Sequence, residues 1–195
     1  MSGAGSTAGL ILAAGESRRM GRPKALLRYG KETFLDTLVG LFARVCSPVI
    51  VVLGAAADEI EAAALRPAVF VRNANYMRGQ TSSMQCGLRA VPPEAAGVLF
   101  TLVDHPAVTA DTVGRLLDGA GAGRLRVLRY RGRNGHPIWF SRGLIGEFLA
   151  LPEDGAARGV VRAHTAETEF LDVDDPGVAA DIDNPEDYAR LVGEA

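Results

Sequence analysis

The chain has little that would tie it to an oxidising compartment, a membrane or a polyanion. Its 195 residues include two cysteines, Cys46 and Cys86, without metal-ligand spacing and too few for a disulfide framework. Each therefore reads as a buried apolar thiol in a reducing cytoplasm. No apolar run approaches the roughly 20 residues that a membrane span needs. Met1 to Ala8 have neither the basic start nor the apolar core of a signal peptide and read as a flexible tail. Excess positive charge is missing as well: the formal net charge is −2, whereas a nucleic-acid surface needs clustered excess cations. The expectation is a soluble, cytoplasmic protein that binds neither nucleic acid nor membrane. Two nucleotide-binding signatures are also absent. There is no Gly-Lys-Ser/Thr ending of a Walker A loop and no GxGxxG, which disfavours a P-loop NTPase and a Rossmann dehydrogenase.

What is there suffices for one globular core. Hydrophobic residues make up 48% and charged residues 23% of the chain, so a single domain over 1–195 is expected. Gly9-Leu10-Ile11 runs into Leu12 to Lys24, a loop with two glycines and three arginines. A buried strand entering such a loop delivers backbone N–H groups and cations to an anion, most often a nucleotide phosphate. The spacing from Phe34 to Val45 predicts an amphipathic helix. Val49 to Leu53 reads as a parallel strand covered on both faces. Further strands are expected at Val69–Val71, Val98–Val103 and Phe170–Val173, with helices at Asp58–Leu65, Thr81–Ala90 and after Thr109. Arg124–Tyr130 and His136–Phe140 read as a β-hairpin around a turn at Arg131–Gly135, with Trp139 and Phe140 as core. Helices are plausible around Gly143–Leu149 and Ala156–His164. Asn184-Pro185-Glu186-Asp187 has the marks of a helix start. The alternation predicts a three-layer α/β/α domain with a mostly parallel, Rossmann-like sheet and a hairpin insertion in the second half. Ligands in such sheets sit beyond the C-terminal strand ends, which puts the opening loop and Asp104 on one edge.

The stretch Leu12, Ala13, Ala14, Gly15, Ser17, Arg19, Met20, Gly21 and Lys24 matches every fixed position of the signature LAAGxSxRMGxxK. In this it resembles the MobA-like nucleotidyltransferases, most closely the molybdenum cofactor cytidylyltransferases, whose fold is of the nucleotide-diphospho-sugar transferase type. Gly79-Gln80-Thr81-Ser82-Ser83, Asp104-His105-Pro106, Gly135-His136-Pro137, Asp154 to Arg158 and Asp181 to Tyr188 are similar to family elements in the right order. His105 stands where the family commonly has Gln, and Asn184 where it commonly has Thr.

The resemblance implies transfer of CMP from CTP to the terminal phosphate of molybdopterin, with release of pyrophosphate. Attack on an α-phosphate brings two anions together, so cations must cancel repulsion. Arg19, Lys24 and Asp104 are the expected catalytic residues. Leu12, Ala13, Ala14, Gly15, Lys24, Gly79, Ser82 and Ser83 are expected at the nucleotide, and His105 and His136 at the second substrate. Asp104 and Asp183 would hold Mg2+, a hard cation that takes oxygen ligands, with Asp181 the competing carboxylate. Arg18 and Arg22 read equally well as solvated charges. Leu-Ala-Ala-Gly resembles the cytidylyl form and Leu-Ala-Gly-Gly the guanylyl form, so Ala14 is the position that points to CTP. An acceptor molybdoenzyme would receive the product. Other readings are a GTP-dependent guanylyltransferase, a sugar-phosphate or methylerythritol-phosphate cytidylyltransferase, and a non-catalytic module that hands on a pterin cofactor.

Overall fold

The computed structural model describes residues 6–120, 123–152 and 155–193. β1 (Thr7–Ala13) is followed by a short antiparallel ribbon of β2 (Arg28–Tyr29) and β3 (Glu32–Thr33), then by α1 (Phe34–Phe42), β4 (Val49–Leu53), α2 (Ala57–Ala63) and β5 (Val69–Arg72). α3 (Gln80–Leu88), β6 (Gly97–Leu102) and α4 (Ala110–Leu117) come next. The second half holds β7 (Leu125–Tyr130), β8 (Arg133–Ser141), α5 (Ile145–Leu149), α6 (Ala157–Ala163), β9 (Thr168–Asp172) and α7 (Pro185–Gly193). Seven strands form one open sheet in the order β5-β4-β1-β6-β8-β7-β9. Every pairing is parallel except the two made by β8, so the mostly parallel three-layer arrangement is as expected.

Alternation along the central strands builds both halves of the core. Ile11 and Ala13 of β1, with Val49, Val51 and Leu53 of β4, face the layer of α1 and α4. Leu10, Leu12, Ile50 and Val52 face α3, α5 and α6. A strand whose successive side chains are all buried reads as a continuous apolar run, as Val49 to Leu53 does. α1 starts where Thr33 accepts a hydrogen bond from the Asp36 N–H at 3.0 Å. The buried Asp36 carboxylate in turn accepts from the N–H groups of Leu65 and Arg66, tying α1 to the chain after α2. Asn184 caps α7 as its sequence implied, accepting from the Asp187 N–H at 2.8 Å.

Three expectations are corrected. Thr7 and Ala8 are part of β1 and not of a tail, because Thr7 and Ala8 lie opposite Gly97 and Val98 of β6; Met1 to Gly5 lie outside the described residues. The hairpin is no insertion but lies inside the main sheet, where β8 pairs with β6 and buries Trp139 and Phe140. Its turn is only Arg131-Gly132, both with positive φ (48° and 78°), so Arg133 to Gly135 belong to β8. A two-residue turn of that hand matches the twist of its strands. Asp154 lies outside the described residues. Among the described residues, no helix is long and apolar enough to cross a membrane.

Candidate active site

The chain leaves β1 for β4 on one side of the sheet and returns to β6 on the other, so the strand order reverses at β1. The crevice beyond the C-terminal ends of β1 and β6 is thus the place where such a sheet holds a ligand. The loop after β1 enters it. Ser17 adopts a left-handed conformation (φ 52°) and its hydroxyl accepts the Lys24 N–H at 3.0 Å, which folds the loop back. The Lys24 side chain is thereby directed at two carboxylates. Its Nζ lies 2.9 Å from Asp104 Oδ2 and 2.7 Å from Asp183 Oδ1, while Arg19 donates to Asp183 Oδ2 at 3.2 Å. Burial works to lower the Lys24 pKa, but the charges and hydrogen bonds of Asp104 and Asp183 outweigh it and the net shift is upward. The hydrogen bond from Lys24 holds Asp183 below the usual carboxylate range.

Asp183 reaches the site because a return segment is pinned beside β6. Asp175, buried, accepts from the Thr109 N–H (3.0 Å), the Thr109 hydroxyl (2.9 Å) and the Gly177 N–H (2.9 Å). Burial alone would raise its pKa; hydrogen bonds from Thr112, Thr109 and Gly177 prevail and lower it. Further along, the Ile182 N–H donates to the Asp104 carbonyl at 3.2 Å and the Ile182 side chain is buried. Asp183 lines one cavity and Asp181 another.

The first cavity, of about 500 Å³, is lined by Leu12, Ala13, Ala14, Gly15, Arg19, Lys24, Gly79, Ser83, Asp104 and Asp183. It unites all the residues expected at the nucleotide and the metal save Ser82. The Ser82 hydroxyl donates to the carbonyls of Asn75 and Gly79 (3.0 and 2.8 Å), so it closes the loop before α3 without lining the cavity. Gly79 has φ 101°, a conformation L side chains rarely adopt, and it frees the start of α3 to face the crevice. Tyr76, Met77 and Gln80 also line this cavity; only a polar loop was legible there.

The second cavity, of about 530 Å³, shares Gln80 and Leu102 with the first and holds His105, His136 and Asp181. The His105 and His136 rings lie 4.7 Å apart. Burial pushes the His136 imidazole down to about 3, with the neighbouring His105 adding to the effect. Burial also lowers His105, against the attraction of Asp104 and Asp181. Asp181 is raised by its partial enclosure and by the charges of Asp104 and Asp183. Gly135 is required by close approach, since a Cβ there would meet the Val178 carbonyl. That contact seats β8 against the return segment. Arg133 and Arg158 line this cavity and form no ion pair among the described residues. In the sequence Arg133 falls in a turn, with no local signal that it faces the same space as Asp181.

Residues 9–168 match the family model described as the MobA-like NTP transferase domain. "Nicotine blue oxidoreductase" of Paenarthrobacter nicotinovorans is 33% identical, over 94% of this chain and 95% of its own. "Molybdenum cofactor cytidylyltransferase" of Escherichia coli is 26% identical, over 92% of each. "Probable molybdenum cofactor guanylyltransferase" of Mycobacterium ulcerans is 30% identical, over 96% and 94%. Among solved structures, Rv0371c from Mycobacterium tuberculosis superposes with a TM-score of 0.86 at 35% identity, covering 97% of this chain and 99% of that one. Its complex with manganese superposes with a TM-score of 0.80 at 31% identity, over 97% and 100%.

Proposed function

From the premise that this chain belongs to the MobA-like NTP transferase family, whose fold and chemistry are those of nucleotidyltransferases, we propose that it transfers CMP from CTP to the terminal phosphate of molybdopterin. The observation that carries the reading is the meeting of two cavities at Gln80 and Leu102, with Asp104, Lys24 and Arg19 on one side and His105, Arg133 and Arg158 on the other. Each side has the cations an anionic reactant needs. The nucleotide lies in the first cavity, its base against Leu12 to Gly15 and its phosphates toward Arg19 and Lys24. The acceptor lies in the second, its phosphate between Arg133, Arg158 and His136.

A phosphate oxygen of the acceptor attacks the α-phosphorus while the bond from that phosphorus to the β-phosphate oxygen breaks, and pyrophosphate leaves. No proton needs to be removed from an ionised phosphate, so no general base is required. His136, held neutral by its burial, offers a hydrogen bond without adding charge. Lys24 and Arg19 neutralise charge as it develops on the leaving group. In the absence of nucleotide their charge rests on Asp104 and Asp183, and the triphosphate draws it away. These carboxylates fit a divalent metal by their hard oxygen donors. Mg2+ is the ion proposed, and the manganese complex of Rv0371c is consistent with a divalent site. When bound, it would neutralise and orient the α-phosphate.

CTP is preferred to GTP because Ala14, buried at the base side, carries a methyl where a guanylyl-type loop has none. Pyrophosphate release measured across CTP, GTP, ATP and UTP, with and without molybdopterin, tests the whole reading. Release only with CTP and molybdopterin is expected, and Asp104→Ala should abolish it; release with no nucleotide tested would refute it. A second reading, that the chain is an oxidoreductase, is favoured by its 33% identity to the relative of that name. Consumption of a reduced nicotinamide or flavin without pyrophosphate release would establish that one instead.

A further inference from the structure

Asp104 has two oxygens and they face different neighbours. Oδ2 receives the Lys24 ammonium at 2.9 Å, whereas Oδ1 is buried and has no hydrogen-bond partner among the described residues. Across from Oδ1, at 3.8 Å, stands His105 Nε2. That distance is too long for a hydrogen bond. It suits two donors that share one ion through bonds of about 2.1 Å. His105 is 6% exposed, and its other nitrogen, Nδ1, likewise lacks a partner among the described residues. A carboxylate oxygen of Asp181 completes the group, and the three donor atoms lie within 4.8 Å of one another. Two donors on one ion are at most about 4.2 Å apart, so the widest pair closes by up to about 0.6 Å for all three to reach one ion, and water or phosphate oxygens fill the remaining positions.

We propose that Asp104, His105 and Asp181 form a divalent transition-metal site on the acceptor side of Asp104, separate from the Lys24–Asp183 side. Its donor set is O, N, O. Mg2+ prefers oxygen throughout, while imidazole suits Mn2+ and later transition ions. His105 thus sets the class of ion the protein takes. The backbone bond from the Ile182 N–H to the Asp104 carbonyl holds the return segment beside Asp104, with Asp181 lining the second cavity and Asp183 the first. In its role, though not in its binding, the site rests on the nucleotidyl-transfer reading: it lies where the acceptor phosphate would enter.

The test is titration of the chelator-treated full chain with Mn2+ alone, read by electron paramagnetic resonance. One tightly bound ion is expected, with nitrogen hyperfine coupling in the pulsed spectrum. H105Q should remove the coupling, and D181N should weaken binding at least about tenfold, whereas D183N should leave the coupling in place. A wild-type spectrum without nitrogen coupling, or unchanged affinity in D181N, overturns the site. Thermal melts of each variant separate loss of a ligand from loss of the fold, and the wild-type coupling decides the matter even if a variant does not fold. Pyrophosphate release with CTP is scored independently. Coupling without release keeps the site and removes the transfer reading; release without coupling does the reverse.

Discussion

Lys24→Met removes the ammonium that lies between Asp104 and Asp183 while keeping most of the side-chain volume. The lysine and Asp104 side chains are 13% and 16% exposed, and Asp183 is 37% exposed. At 2.7 to 2.9 Å, each pair attracts by about 6 kcal/mol at an effective dielectric near 20, most of which is offset by desolvation. Removing one partner of a buried pair costs about 3–5 kcal/mol. The exposed Asp183 contributes less than that because water screens it, so the expected net loss is about 3 kcal/mol. For a domain of this size that is a fall of about 6–12 °C in melting temperature. The pH dependence follows from the two shifts. Asp183 is lowered from 3.8 in the folded chain, so its contribution is present above 3.8 and is lost as pH falls through its depressed value. Lys24 is raised from 10.5, so its contribution is present below 10.5 and is lost as pH rises through the raised value. The gap between wild type and variant should therefore be widest at neutral pH and close under acid conditions. Urea titrations from pH 3 to pH 8 measure it. Adding millimolar Mg2+ or Mn2+ should restore part of the variant's stability, because the uncompensated carboxylates then bind the ion. An equal loss of stability at pH 3 and pH 7, without metal rescue, would show that Lys24 acts by packing and not by charge.

Ala14→Gly should raise the ratio of GTP to CTP use in the pyrophosphate assay, by roughly tenfold if a single methyl closes the purine slot; no change in the ratio would remove Ala14 as the base-sensing position. Arg126 is 3% exposed, donates two hydrogen bonds to Glu169 (2.8 and 3.0 Å) and binds the carbonyls of Leu116 and Asp118. Arg126→Met should cost about 2–4 kcal/mol in urea unfolding by stranding those acceptors. Asp175→Asn weakens the bonds that hold the return segment at Thr109. It should lower stability by about 1–3 kcal/mol above the carboxylate range and weaken divalent-ion binding through Asp181, while wild type and variant converge as pH falls through the depressed pKa of Asp175.

Local patterns were enough for the main helices and strands, though not for the ribbon of β2 and β3, and for half of the site. Val49 to Leu53 is buried at every position, and its β-branched residues closed by Gly54 mark it as a two-faced strand. Thr109 and Asn184 announced their helices because a cap is a contact between residues three apart, which sequence displays directly. The loop from Leu12 to Lys24 was legible for the same reason, since its glycines, its cations and the strand that feeds it are contiguous. The hairpin was misjudged at the level where local pattern stops. Both strands were found, but a sequence does not say whether a hairpin stands apart or pairs with β6, since that depends on which edge is free when β8 arrives.

What the sequence determined by itself is therefore the family, the alternation of layers and the cations of one loop. What only the tertiary structure decided is how the carboxylates divide. Asp181 and Asp183 are equivalent in the sequence, two acids around an isoleucine. In the fold Asp183 meets Lys24 and Asp181 lies with His105, while Ile182 between them is buried and donates its N–H to the Asp104 carbonyl. Residues two apart on a regular strand share one face; here the segment is no strand, and it is held by the bonds of Asp175 to Thr109, far away along the chain and adjacent in space.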